Sequence, residues 1–179
     1  MNVKKIYIIF LIVILGLGAL FSNWKVYRTS TLEFKILNKK DIKILEHDNQ
    51  FEDFYPSLAF NSVPLETYVS EFYSTSQLYE EAINTLKNSL VQNPYCLYTR
   101  YLLSRNYIFK EDFEQAELIL EDLFILNPNI ESISALYFSL LGEMGNEEKL
   151  LELKSSVETM DNKLIKEYFY NSIRNSRNK

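Results

Sequence analysis

The chain of 179 residues carries few side chains whose type and spacing could do chemistry. Its single histidine, His47, stands among Glu46, Asp48, Glu52 and Asp53. An imidazole beside carboxylates is the raw material of a metal site or of acid–base work. A metal site, however, draws on several His or Cys ligands, and no second histidine exists to join this one. The setting expected for His47 is an exposed helix end. Cys96 is the lone cysteine, so no internal disulfide can form. It falls at the start of a predicted helix, where a packed thiol is expected rather than a reactive one. No glycine-rich phosphate loop follows a strand, and no Gly-x-Ser-x-Gly elbow is present. The acids Glu111, Asp112, Glu114, Glu117, Glu121 and Asp122 lie along one polar helix face. Nothing there would shift their pKa values for catalysis, so they read as a solvated face or as a surface for a basic partner. The expectation is a chain with no catalytic residue, no cofactor and no metal: not an enzyme.

The elements that must position any other site announce themselves by repetition. Tyr73, Tyr79, Ala82, Leu86 and Asn93-Pro94 return 34 positions later as Tyr107, Phe113, Ala116, Leu120 and Asn127-Pro128. That period is the length of a helix-turn-helix repeat. Helices are predicted over Leu65–Thr75, Leu78–Val91, Leu97–Phe109 and Phe113–Leu126. Apolar residues recur three and four apart along the second and fourth of these, giving the stripe of an amphipathic helix. Ala82 and Ala116 are small enough to let paired helices approach. Tyr73 and Tyr107 fill space between helices. Pro94 and Pro128 follow helices they cannot continue, and Asn93 and Asn127 suit the left-handed backbone that often ends a helix.

These residues resemble the tetratricopeptide repeat. With Val63 as its first position, one copy places Ser70, Tyr73, Tyr79, Ala82, Leu86 and Pro94 on the family pattern. With Leu97 first, a second places Ser104, Tyr107, Phe113, Ala116, Leu120 and Pro128 on it. A third copy from Glu131 keeps Leu141 and the turn Gly145-Asn146. It departs at Leu150, where the family has Ala, and at Asn162, where it has Pro. The resemblance implies an all-α fold: an α-solenoid with repeats near 63–96, 97–130 and 131–162. A capping helix at 162–175 would follow, with Asp161 as N-cap and Leu164, Tyr168 and Ile173 facing the last repeat. The resemblance also implies a protein–protein interaction adaptor or scaffold. Its groove would be lined in the second copy by Tyr98, Tyr101, Arg105, Ile108 and Phe109, with aromatic and Arg side chains of the kind enriched at binding hot spots. The equivalent positions Thr67, Glu71, Ser74 and Thr75, and Ser132, Ala135, Ser139 and Glu143, are small or polar. The Lys and Asn of the family's carboxylate clamp are absent. A neighbouring segment of the chain itself, around Phe51 to Phe60, is the competing occupant of the aromatic groove. A narrower resemblance rests on Phe54-Tyr55-Pro56, Val63-Pro64-Leu65 and Asn93-Pro94-Tyr95. These look like the repeat regions found with bacterial O-antigen polymerase and ligase membrane enzymes. On that reading the chain would be a non-catalytic companion or detached domain of such an enzyme.

Ahead of the repeats, Lys4 and Lys5 precede an apolar run from Ile6 to Phe21, and Trp24 and Tyr27 suit an interfacial belt. Residues 1–24 read as an uncleaved signal-anchor or transmembrane helix. A cleaved secretory signal is the alternative, but Leu20 and Phe21 spoil the small-residue frame that cleavage prefers. The run would place residues 6–21 in the lipid bilayer as a single pass. Lysines and arginines beyond the run favour a cytoplasmic repeat domain, whereas the short charged start favours export. The extracytoplasmic, periplasmic side is the expectation. Residues 25–62 read as a basic juxtamembrane segment with room for a degenerate helical repeat. Charge is segregated: residues 1–45 sum to +6, residues 46–162 to −15 and residues 163–179 to +4. An acidic centre argues against nucleic acid, whose phosphates need a cationic surface.

Overall fold

The computed structural model describes residues 3–37, 58–59 and 61–178. His47, the motif Phe54-Tyr55-Pro56 and the segment from Asn38 to Ser57 lie outside the described residues. Among the described residues the chain is all-helical, with eight helices and no strand; Leu58 and Pro64 form one isolated bridge.

α1 (Val3–Leu37) is longer than the apolar run that founds it. A stretch of 20 residues, Ile9–Arg28, is apolar enough to cross a membrane. At 1.5 Å per residue it covers about 30 Å, the thickness of a hydrocarbon core. Arg28 closes the stretch with its guanidinium carbon 5.0 Å from the ring centre of Trp24. The helix then continues to Leu37, into the basic segment 25–62. A long helix already nucleated by its apolar run extends cheaply, because each further residue adds a backbone bond without a new nucleation cost.

The remaining helices are α2 (Leu65–Thr75), α3 (Tyr79–Gln92), α4 (Leu97–Phe109), α5 (Phe113–Leu126), α6 (Glu131–Met144), α7 (Glu147–Thr159) and α8 (Lys163–Ser176). Each packs on the next. Their connections are only a few residues long, so neighbours run in opposite directions. The core follows the apolar stripes. Ala82, Leu86, Ala116, Leu120, Leu123, Tyr137, Phe138, Leu150, Ile165 and Phe169 are wholly buried.

The turns after α2, α4 and α6 repeat in backbone detail. Gln77, Glu111 and Gly145 stand 34 positions apart with φ of 63°, 61° and 71°. Beyond each, an amide reaches back to a carbonyl five residues earlier: Leu78 to Tyr73 at 2.9 Å, Asp112 to Tyr107 at 3.0 Å and Asn146 to Leu141 at 2.9 Å. The left-handed residue itself donates to Ser74, Ile108 and Gly142 respectively. This is the Schellman closure of a helix end, made three times, twice without glycine.

The asparagines behave otherwise. Asn93 and Asn127 have φ of −140° and −143°, not the left-handed backbone expected of them. Each opens a β-turn with proline at its second position, closed by Cys96 N–H to the Asn93 carbonyl and by Ile130 N–H to that of Asn127. The Asn93 side chain also accepts from Tyr95 N–H and donates to the Ser62 carbonyl, fastening the turn before α4 to the turn before α2.

α8 corrects two details. Its N-cap is Asn162, not Asp161: the Asn162 side chain accepts from Leu164 and Ile165 N–H at 3.0 and 3.2 Å. Its inward residues are Ile165, Phe169 and Ile173; Leu164 and Tyr168 are 50% and 40% exposed. α8 packs closely on α6, with Phe138 and Phe169 edge to face at 5.2 Å, and Gly142 makes the approach possible.

Candidate protein-binding face

α4 is apolar on both sides, so packing cannot use all of it. Thr99, Leu102, Leu103, Ser104, Asn106 and Tyr107 are buried. Tyr98, Tyr101, Arg105 and Phe109 follow at spacings of three and four, which places them on one strip of the helix. The expected residues do not all stand equally free. Tyr98 is 37% and Phe109 48% exposed, whereas Tyr101 and Ile108 lean on the core and are half-buried.

Neighbouring helices fix the strip's geometry. The Tyr98 hydroxyl donates to Glu71 Oε1 on α2, and its ring lies 6.2 Å from that of Tyr68. Burial and then the Glu71 carboxylate push the Tyr98 phenol above its ordinary range, so it remains a neutral donor. Phe109 stacks on Tyr79 of α3 with ring centres 5.2 Å apart and planes inclined by 26°. Between the two ends, Arg105 holds its guanidinium 5.9 Å from the Tyr101 ring and 5.8 Å from the Phe109 ring. Such cation–π seating orients the group without neutralising it. Among the described residues no carboxylate pairs with Arg105, whereas Arg100, on the same helix, pairs with Asp122 at 2.8 Å. The strip therefore presents one charged donor framed by aromatic rings.

Sequence spacing missed Tyr68 and Tyr79 as rim residues; Glu71, one repeat before Arg105, was placed on the groove by its repeat position but not as the partner of Tyr98. Thr67, expected on the groove, is fully buried and shares a 2.8 Å hydrogen bond with Thr99. Ser139 and Glu143 border a shallow depression with Gly142, Asn175 and Asn178, where α8 meets α6.

The acidic run of α5 is largely committed to the fold. Lys149 of α7 donates to Glu117 at 2.8 Å and Glu121 at 2.9 Å. Those hydrogen bonds raise the Lys149 pKa against the opposing effect of burial, so the ammonium stays charged. Asp112 caps α5 and Asp122 pairs with Arg100. Among the described residues Glu111 and Glu114 have no such role. Among the described residues no group of His, Cys, Asp and Glu is arranged to hold a metal ion. Cys96 is buried.

No family model matches the chain, and no curated protein and no solved structure matches it.

Proposed function

We propose that the chain is a membrane-anchored helical-repeat adaptor of tetratricopeptide type, which holds a partner protein at the cell envelope through Tyr98, Tyr101, Arg105, Ile108 and Phe109. The observation that carries the binding role is the guanidinium of Arg105, framed by two aromatic rings on a strip that packing leaves partly open. The repeat assignment draws support from helix ends closed in the same way at 77, 111 and 145. The anchor reading draws support from Ile9–Arg28 in α1. The narrower kinship with O-antigen enzymes would make the partner a multi-span membrane protein; its turns Val63-Pro64-Leu65 and Asn93-Pro94-Tyr95 start α2 and α4.

The test is cross-linking from a photoreactive residue replacing Phe109, in native membranes, followed by purification of the full chain. Capture of a defined protein is expected. The double substitution Tyr101→Ala with Phe109→Ala should abolish that capture while helicity is retained. Unchanged capture by the double variant rejects the site. A cross-link that joins Phe109 to the chain's own residues 51–60 makes the strip structural instead.

A further inference from the structure

We propose that the end of the bundle formed by the turns after α3 and α5 rests on the lipid surface of the membrane that α1 crosses. Alternating helix directions bring the starts of α2, α4, α6 and α8 and the finishes of α3, α5 and α7 to one end; the Schellman turns occupy the other. The two ends differ in chemistry. At the first, Val91 is 84% exposed, Tyr95 86%, Ile125 68%, Leu126 65% and Leu164 50%. At the second stand Glu80, Glu81, Glu111, Glu114 and Glu148, all exposed, with Glu80 paired to Lys110 and Glu147 to Arg177; Leu78 and Phe109 there are 44% and 48% exposed. The first end carries the more exposed apolar side chains, and the second is mostly charged.

The chain's path selects the occupant. The polypeptide arriving from α1 joins the bundle at the apolar end, through the Leu58–Pro64 bridge and the Asn93 side-chain bond to Ser62. Only residues 38–57 separate α1 from that point. Whatever their conformation, 20 residues reach at most about 70 Å. The apolar end is thus held near the bilayer at a high effective concentration, and weak affinity suffices for docking. Valine, leucine and isoleucine with a tyrosine are the residue types that enter an interfacial layer. Charge does not drive the contact: Arg100 is already paired with Asp122, and Lys163, at the start of α8, is outnumbered at this end by Glu131, at the start of α6, and Asp161, just before α8. Anionic headgroups should therefore not strengthen it. The inference is independent of the α4 site and rests on the anchor reading of α1.

The test uses the full chain reconstituted in phosphatidylcholine vesicles. Single cysteines at Val91→Cys, Leu126→Cys and, as the control at the acidic end, Glu114→Cys are introduced with Cys96→Ser and labelled with an environment-sensitive dye. Vesicles containing doxyl-labelled lipid are expected to quench the labels at 91 and 126 several-fold more than the label at 114. Adding phosphatidylglycerol should not increase the effect. Ile125→Asp with Leu126→Asp, both at exposed positions, should bring quenching at 91 down to the control level with helicity unchanged. Equal quenching at all three positions overturns the inference. So does a blue-shifted but unquenched label at 91, which would mean a second copy covers this end. A chain that does not float with the vesicles overturns both this inference and the anchor reading, whereas one that floats with unquenched labels overturns the inference alone.

Discussion

Replacing Gly142 by alanine sets two effects of opposite sign against each other. A Cβ built there would lie 2.9 Å from the Ser172 carbonyl oxygen, 3.1 Å from its Cα and 3.2 Å from its Cβ. The nearest obstacles belong to the backbone of α8, so no side chain can swing aside. Overpacking of this kind costs roughly 1–3 kcal/mol. Alanine in a helix interior returns about 0.5–1 kcal/mol relative to glycine. The clash should win, leaving Gly142→Ala destabilised by about 1–2 kcal/mol, which corresponds to a fall in melting midpoint of roughly 3–10 °C. Gly18→Ala is the matched control, because nothing lies within 4 Å of its built Cβ. The assay is thermal unfolding of the full chain in detergent, followed by circular dichroism, with hydrogen exchange read helix by helix. Amides of α8 should lose protection ahead of those of α4 and α5, since α8 is the last element and must shift. A Gly142→Ala protein with an unchanged or higher midpoint and full protection of α8 would refute the close packing of α6 and α8.

Ala116→Glu should destabilise by several kcal/mol, because the site is fully buried and the new carboxylate has no partner, whereas Glu114→Lys on the exposed face should change stability by about half a kcal/mol or less; equal urea midpoints would mean that the buried face of α5 is misassigned. Glu111→Gly should stabilise by about 0.5–1 kcal/mol by relieving a left-handed residue that carries a Cβ, and Gly145→Ala should cost about 1 kcal/mol at the equivalent turn; opposite shifts in the urea midpoint check the pair. Burial pushes the Tyr137 phenol from its usual value near 10 up to about 12. A raised phenol stabilises the fold fully below pH 10, and that contribution is lost as pH climbs through about 12. Stability should therefore fall across that alkaline window, and Tyr137→Phe should flatten the fall; a wild-type profile that is level there, measured with tyrosinate absorbance as the titration record, would contradict the burial of Tyr137.

Much of the helical outline was legible in the residues. α2, α4 and α5 begin and end where the periodicity puts them, and α3 is displaced by one residue. Amphipathic stripes and turn residues are local signals, set by which side chains a helix can bury and where proline stops it. The turns themselves were misjudged in kind. Asn93 and Asn127 look like left-handed helix ends because asparagine tolerates that backbone, yet proline at the next position commits them to β-turns. Gln77 and Glu111 give no sign of their positive φ, because what holds them is the returned hydrogen bonds of the Schellman closure. The strip on α4 was legible as residue types one helical face apart. Its rim was not, since Glu71 meets Tyr98, and Tyr79 meets Phe109, across helix pairs.

By itself, then, the sequence determined the extents of α2 to α5 to within a residue, the apolar stretch of α1 and the 34-residue recurrence, because each depends on interactions between residues near one another in the chain. The tertiary structure alone decided which charges were spent inside the fold, as when Lys149 takes Glu117 and Glu121 from a run that looked free. It alone decided that α8 turns Ile165 and Phe169 inward and closes on Gly142, leaving Leu164 outside. It also gathered exposed apolar side chains from separate turns at one end and carboxylates at the other. Those outcomes depend on how helices dock, and docking is selected by the fit of whole surfaces that no local pattern contains.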